Sequence, residues 1–128
     1  MEFIDIVNQV YLEQLIFHTW EHVLVKEAAD DSYGMIEPFS NPLGGGIYRM
    51  YDAEGDVVYV GKSNDIHRRL LQHVGRRSNT SYFIEEVVKI EYHKNDDPVF
   101  QTMLEGIFIA YHEPIYNDEM QDRIRNEK

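Results

Sequence analysis

Residues 46–63 read GIYRMYDAEGDVVYVGKS, and their patterning decides the fold. Two runs rich in β-branched and aromatic side chains, Ile47–Tyr51 and Val57–Val60, flank Ala53-Glu54-Gly55-Asp56. Such side chains pack well on a pleated surface, and the polar, glycine-bearing segment between them turns the chain. The stretch is therefore a β-hairpin. Past Gly61-Lys62-Ser63 the period changes. Ile66, Leu70, Leu71 and Val74 fall on one helical face, with Ser63 or Asn64 as N-cap and Gly75 just past the end. Arg69 and His73 stand together on another face, one turn apart.

Downstream, residues 81–86 suit a short helix. Val87–His93 alternates, with Val88, Ile90 and Tyr92 to one side, as a third strand does. Asp97-Pro98 sets an N-cap before a proline at the first helical position, and the helix it opens runs to about His112, short of Pro114. Upstream, Gly34, Pro38, Pro42 and Gly44-Gly45-Gly46 mark residues 29–45 as a connection. Residues 3–28 contain neither Pro nor Gly and carry two apolar stripes: Phe3, Val7, Val10 and Tyr11, then Leu12, Ile16, Trp20, Val23 and Leu24. They read as a helix covered on more than one side. The order β-β-α-β-α predicts an α+β fold. Its three-stranded antiparallel sheet is flanked by helices, with an extra N-terminal helix. The expected division is an acidic N-terminal helical extension and linker at 1–45, a main domain at 46–120 and a charged tail at 121–128.

A chain of 128 residues suits one domain with a core of its own. It has no cysteine, which excludes disulfide scaffolds, thiol nucleophiles and cysteine-ligated metals. No stretch is apolar enough to span a bilayer, and the N-terminus lacks the basic start of a signal peptide. A cytoplasmic protein, not bound to membrane, is expected. The net charge is −11. Phosphate binding needs Lys and Arg, so the sum argues against nucleic acid. The distribution argues for it: Lys62, Arg68, Arg69, Arg76 and Arg77 face only Asp65 between positions 62 and 77, a net of 5 − 1 = +4.

Gly46-Ile47-Tyr48 followed by Tyr59-Val60-Gly61 resembles the two signature strands of the GIY-YIG nucleases. Three more elements follow in the order that family keeps. Arg69 lies eight positions after Gly61, with His73 one turn on. Glu105 sits in the last helix, and Pro114-Ile115-Tyr116-Asn117 resembles the closing asparagine motif. The likeness covers about residues 46–117. Within the family the wording most resembles the N-terminal nuclease domain of the excision-repair nuclease.

The resemblance implies a metal-dependent endonuclease that hydrolyses phosphodiester bonds in DNA by a one-metal mechanism, leaving a 5′-phosphate and a 3′-hydroxyl. It implies that Glu105 binds Mg²⁺ or Mn²⁺ and that Arg69 stabilises the transition state. Tyr48 is then the water-activating base, with Tyr59 as its alternative. Lys62 lowers that tyrosine's pKa or contacts phosphate, His73 hydrogen-bonds near the phosphate or leaving group, and Asn117 is a positioning residue. These residue types fit the chemistry. One carboxylate can hold Mg²⁺ when waters and phosphate complete the shell. A guanidinium forks onto two phosphate oxygens. A phenol becomes ionisable beside cations. Gly61 keeps the strand end open to phosphate, and Arg76 and Arg77 grip the backbone or simply solubilise. The expected partners are DNA, with RNA as the alternative, a second copy through the N-terminal helix, and a protein supplying specificity. The rival reading is a catalytically silent module of the same fold that binds protein or nucleic acid.

Each signal has an ordinary reading. Strand tyrosines usually pack, and a lone helix Arg or Asn is usually solvated. Five ordered elements together outweigh these. Glu105 lies among Met103, Leu104, Ile107 and Phe108, where a carboxylate calls for a partner or a metal. His18-Thr19-Trp20-Glu21-His22 matches the zinc-peptidase pattern H-x-x-E-H. A catalytic zinc needs a third, distant ligand, so this is read as an ordinary helix surface. His67, His93 and His112 are read as surface or structural.

Overall fold

The computed structural model describes residues 14, 20, 22–27, 32–36, 44–74 and 81–117. Four strands, β1 (His22–Val25), β2 (Gly46–Tyr51), β3 (Val57–Ser63) and β4 (Lys89–Lys94), form one sheet in the order β1-β4-β2-β3. All three pairings are antiparallel. The helices are α1 (Ser32–Ile36), α2 (Ile66–Val74) and α3 (Pro98–His112), with a 3₁₀ turn at Ser81–Glu86. The architecture is α+β, as the element order implies.

The sheet has four strands where the sequence predicts three. The additional one, β1, lies in the stretch that reads as the end of a helix. His22-Val23-Leu24-Val25 pairs with Tyr92 to Lys89 and covers the outer edge of β4. A run of branched apolar residues suits either state, and an open strand edge settles it as strand. Elsewhere in the stretch 3–28, Gln14 is helical, Trp20, Lys26 and Glu27 belong to no helix, and the remaining residues lie outside the described ones. His22 belongs to a strand, so no helical turn carries it with His18; His18 and Glu21 are outside the described residues. The expected connection at 29–45 contains α1. Among the described residues, no helix is long and apolar enough to cross a membrane.

Both faces of the sheet are covered, which is why β2 is buried at five successive positions. Tyr48, Met50, Tyr59, Ile90 and Tyr92 pack with Ile66 and Leu70 of α2, Met35 and Ile36 of α1, and Phe83 and Ile84. Ile47 and Val60 pack on the other side with Leu104 and Phe108 of α3 and with Trp20. Each such aliphatic side chain contributes about 1.5–3 kcal/mol by leaving water. On the α3 side a charged pair is also buried: Arg49 Nε meets Glu91 Oε1 at 3.2 Å. The Trp20 amide donates to Glu91 Oε2 at 3.0 Å, and the Arg49 guanidinium lies 4.2 Å from the centre of the Trp20 ring.

The hairpin turn is held by Asp52 Oδ1, which accepts from the amides of Glu54 and Asp56 at 3.0 Å each. Helix α2 is capped by Asp65, not by Ser63 or Asn64. Asp65 Oδ1 accepts from the Arg68 amide at 3.1 Å, while Ser63 Oγ accepts from the Asp65 amide at 3.0 Å. Asp97 caps α3 as its sequence implies, accepting from Val99 N at 2.9 Å. Gly46 lies against β4 so closely that a Cβ there would be 2.1 Å from the His93 carbonyl oxygen.

Candidate active site

Among the described residues strand β3 lies at the edge of the sheet, and the candidate residues gather around that edge. Residues 48 and 59 face α2. Lys62 lies opposite Ile47 and faces α3. Helix α2 brings Arg69 and His73 from one side of the sheet, and α3 brings Glu105 from the other.

The Tyr48 hydroxyl and His73 Nε2 are 2.9 Å apart, and both side chains are fully buried. The Tyr59 ring stands 5.7 Å from the His73 ring and 6.3 Å from the Tyr48 ring. Gly61 explains how Tyr48 fits. It pairs with Tyr48 across the hairpin, and a Cβ on it would lie 2.5 Å from the phenol carbon and oxygen. The glycine makes room for the Tyr48 ring.

Burial sets the protonation states. It pushes the Tyr48 phenol well above its ordinary range; Tyr59 adds to this, Arg69 opposes it through charge and hydrogen bonding, and Glu105 adds again. Burial likewise raises Tyr59, against Arg69 and with Glu105. Burial lowers His73 to about 3, assisted by the charge of Arg69. Both tyrosines are thus neutral in the free protein and His73 is an uncharged imidazole. Burial also raises Glu105, and Lys62 pulls it back down.

Two further residues fix the cations, and the sequence pattern singles out neither. Gln72 Oε1 accepts from Arg69 Nη1 at 3.2 Å. Thr102 Oγ1 accepts from Lys62 Nζ at 2.7 Å. Helical spacing is the available signal, since Gln72 follows Arg69 by three positions and Thr102 precedes Glu105 by three. Asn117 works on the backbone. Its Oδ1 accepts from the Val60 amide at 2.9 Å and its Nδ2 donates to the Val60 carbonyl at 3.0 Å. It pairs with the sheet edge as one residue of a further strand would, between Tyr59 and Gly61. Tyr116 stacks on Phe83 at 4.3 Å and hydrogen-bonds Glu86, which holds that segment in place. Arg76 and Arg77 lie outside the described residues.

The donor set fits a hard divalent cation. Glu105 is half-buried, and its carboxylate makes no hydrogen bond among the described residues. It stands close enough to both phenols to act on their ionisation. A carboxylate whose charge is penalised by burial gains from a cation supplied from outside.

His73 also gives the protein a pH dependence. In the unfolded chain it takes up its proton near 6.5, and in the folded protein near 3. The stability it contributes is complete above 6.5 and is lost as pH falls toward 3. Between pH 7 and pH 5 we expect a loss of about 2 kcal/mol from this group. His112, lowered to about 4 by burial and Arg49 against the opposing Glu91, acts in the same direction. Urea midpoints at the two pH values should therefore converge partly, not wholly, in His73→Gln. An unchanged difference would remove His73 from the account.

A family model described as the UvrC-like GIY-YIG domain matches residues 44–118. The UvrABC system protein C of Cronobacter sakazakii is 38% identical over 82 residues, 60% of this chain and 13% of that protein. That of Dictyoglomus thermophilum is 30% identical over 82 residues, 63% of this chain and 14% of that protein. The chain thus spans only 13% to 14% of the length of these curated relatives. Among solved structures, the magnesium-bound GIY-YIG N-terminal endonuclease domain of UvrC from Thermotoga maritima superposes with a TM-score of 0.56 at 21% identity. The match covers 63% of this chain and 93% of that one. A point mutant of the same domain, bound to its catalytic divalent cation, gives 0.55 at 21% identity over 62% of this chain and 90% of that one. At this identity the likeness to the solved structures is one of fold.

Proposed function

The chain belongs to the UvrC-like GIY-YIG domain family, and from that premise we propose that it is a divalent-metal-dependent endonuclease hydrolysing phosphodiester bonds in DNA. The observation that carries this reading is the meeting of Glu105, Lys62 and Arg69 with the Tyr48–His73 pair around one strand edge. Its relatives act under the name UvrABC system protein C, and a solved domain of that fold holds magnesium as its catalytic cation.

In this reading Glu105 holds Mg²⁺ or Mn²⁺. Bound there, the cation would neutralise phosphate charge and make a water easier to deprotonate. Arg69, steadied by Gln72, presents a guanidinium to the phosphate as charge builds in the transition state. Tyr48 is the water-activating group, with Tyr59 the alternative. No stable phenolate is required of Tyr48. With Nε2 of His73 unprotonated, the Tyr48 hydroxyl donates to it, and its oxygen, which also takes a hydrogen bond from Arg69, accepts a proton from the attacking water as its own moves to His73. Lys62 serves the phosphate, and Asn117 keeps β3 in register so that the residues on either side of Val60 stay placed. The products are a 5′-phosphate and a 3′-hydroxyl.

The setting we infer is the cytoplasm. The substrate is DNA held locally by the basic segment 62–77 of an acidic chain, with specificity supplied by DNA shape or a protein partner. The test is incubation with supercoiled, linear, single-stranded, nicked and branched DNA, and with RNA, in Mg²⁺ or Mn²⁺ and in chelator. Cutting of at least one DNA form that stops with chelator is expected and should weaken as salt rises. Intact DNA in every lane would sink the proposal.

A further inference from the structure

Helix α3 turns an uncharged face to water. Val99, Met103, Gly106 and Ala110 follow one another at i, i+4, i+7 and i+11, on the side opposite the buried Leu104 and Phe108. All four are exposed, Val99 by 78% and Met103 by 48%. No charged side chain interrupts the row, and a Cβ on Gly106 would meet nothing within 4 Å. A surface helix carries its charge on the side away from the core, and one that is apolar on both sides is covered on both. Among the described residues nothing covers this face.

We propose that the cover is the chain's own N-terminal segment, residues 1–19, lying along α3 with Leu12 and Ile16 turned toward it. The point where that segment joins the described structure leads there. The Trp20 ring packs 5.4 Å from that of Phe108, and the Trp20 amide is tied to Glu91. The chain before Trp20 therefore starts beside α3. Its length suffices, since nineteen residues in a helix span about 28 Å and the fifteen of α3 about 22 Å. Gln14 is helical and exposed. On a helix Leu12 and Ile16 stand one turn apart on the side opposite Gln14, where a covered face belongs. Charge agrees as well. The segment holds Glu2, Asp5 and Glu13 with no Lys or Arg, and the outer face of α3 has no carboxylate to repel them. Gly106, with no side chain, lets another backbone come close.

The chain has no cysteine, so M103C and A110C each place a single nitroxide label on the full chain. In the ¹⁵N-labelled protein, the amides of residues 4–12 should lose most of their intensity beside at least one of these labels. A mixture of ¹⁵N-labelled chain without nitroxide and unlabelled chain with it should show no such loss. Leu12→Asp combined with Ile16→Asp should restore the intensities. Gln14→Asp, which adds charge on the exposed side, should leave them lost. Amides of residues 46–117 report in every sample that the sheet is folded. Full intensity at residues 4–12 beside both labels overturns the proposal. An equal loss in the mixed sample gives the face to a second copy of the chain and overturns it too. A loss that persists in the double aspartate variant overturns the facing of Leu12 and Ile16.

Discussion

Glu105→Gln should lower cleavage by on the order of a thousandfold or more while leaving the protein folded. Glutamine keeps the shape and loses the charge, so the variant isolates the one property that a cation needs. The structural cost is small because the carboxylate makes no hydrogen bond among the described residues. The sign of the stability change separates catalysis from scaffold. Burial raises the pKa of Glu105, so the folded state disfavours its charged form and is more stable when the group is neutral. The glutamine variant should therefore melt at the same temperature as the parent or higher. Single-turnover cleavage and a thermal melt on the same preparation check both halves. Activity within tenfold of the parent would remove Glu105 from the mechanism, and a lower melting temperature would make it a structural residue.

The largest stability effect is expected at a residue far from any motif. Glu91→Ala should cost about 3–5 kcal/mol, because it takes the paired carboxylate away from a buried guanidinium. Arg49 is 2% exposed and Glu91 1%. The carboxylate also takes the Trp20 amide, so the same change loosens the link between Trp20 and the sheet. Domains of this kind are stable by about 5–15 kcal/mol, so the loss is a large part of the total. Replacing both partners together, as in Arg49→Met with Glu91→Leu, should recover most of it, since an apolar pair leaves no orphaned charge. Urea unfolding of the parent, the single variant and the double variant decides the matter. A loss under about 1 kcal/mol in Glu91→Ala, or no recovery in the double variant, would show that the pair carries no such penalty.

Much of the fold was legible because it is local. The hairpin, α2, the 3₁₀ turn at 81–86, β4 and the Asp97-Pro98 start of α3 each follow from residues within one turn or one strand of each other. Strand β1 was not legible. Its four residues fit a helix in isolation, and only the edge of β4, more than sixty positions away, makes them a strand. The fourth strand follows from that pairing, and Trp20, just before it, is buried against Phe108 of α3.

The candidate site divides along the same line. Its residue types and spacings stand in the sequence: two strand tyrosines, an arginine and a histidine one turn apart, a carboxylate in an apolar helix. Sequence alone also settles that this stretch of chain offers no thiol and that basic charge gathers at 62–77. What only the tertiary structure decided is the state of those groups. Tyr48 loses ionisability and His73 loses its charge because packing on the α2 face of the sheet buries both. Gly61 makes room for a ring on the neighbouring strand. Lys62 rests on Thr102 because β3 and α3 meet there. Desolvation and cross-strand contact depend on which distant segments cover a residue, and that is a property of the packed chain, which no local pattern encodes.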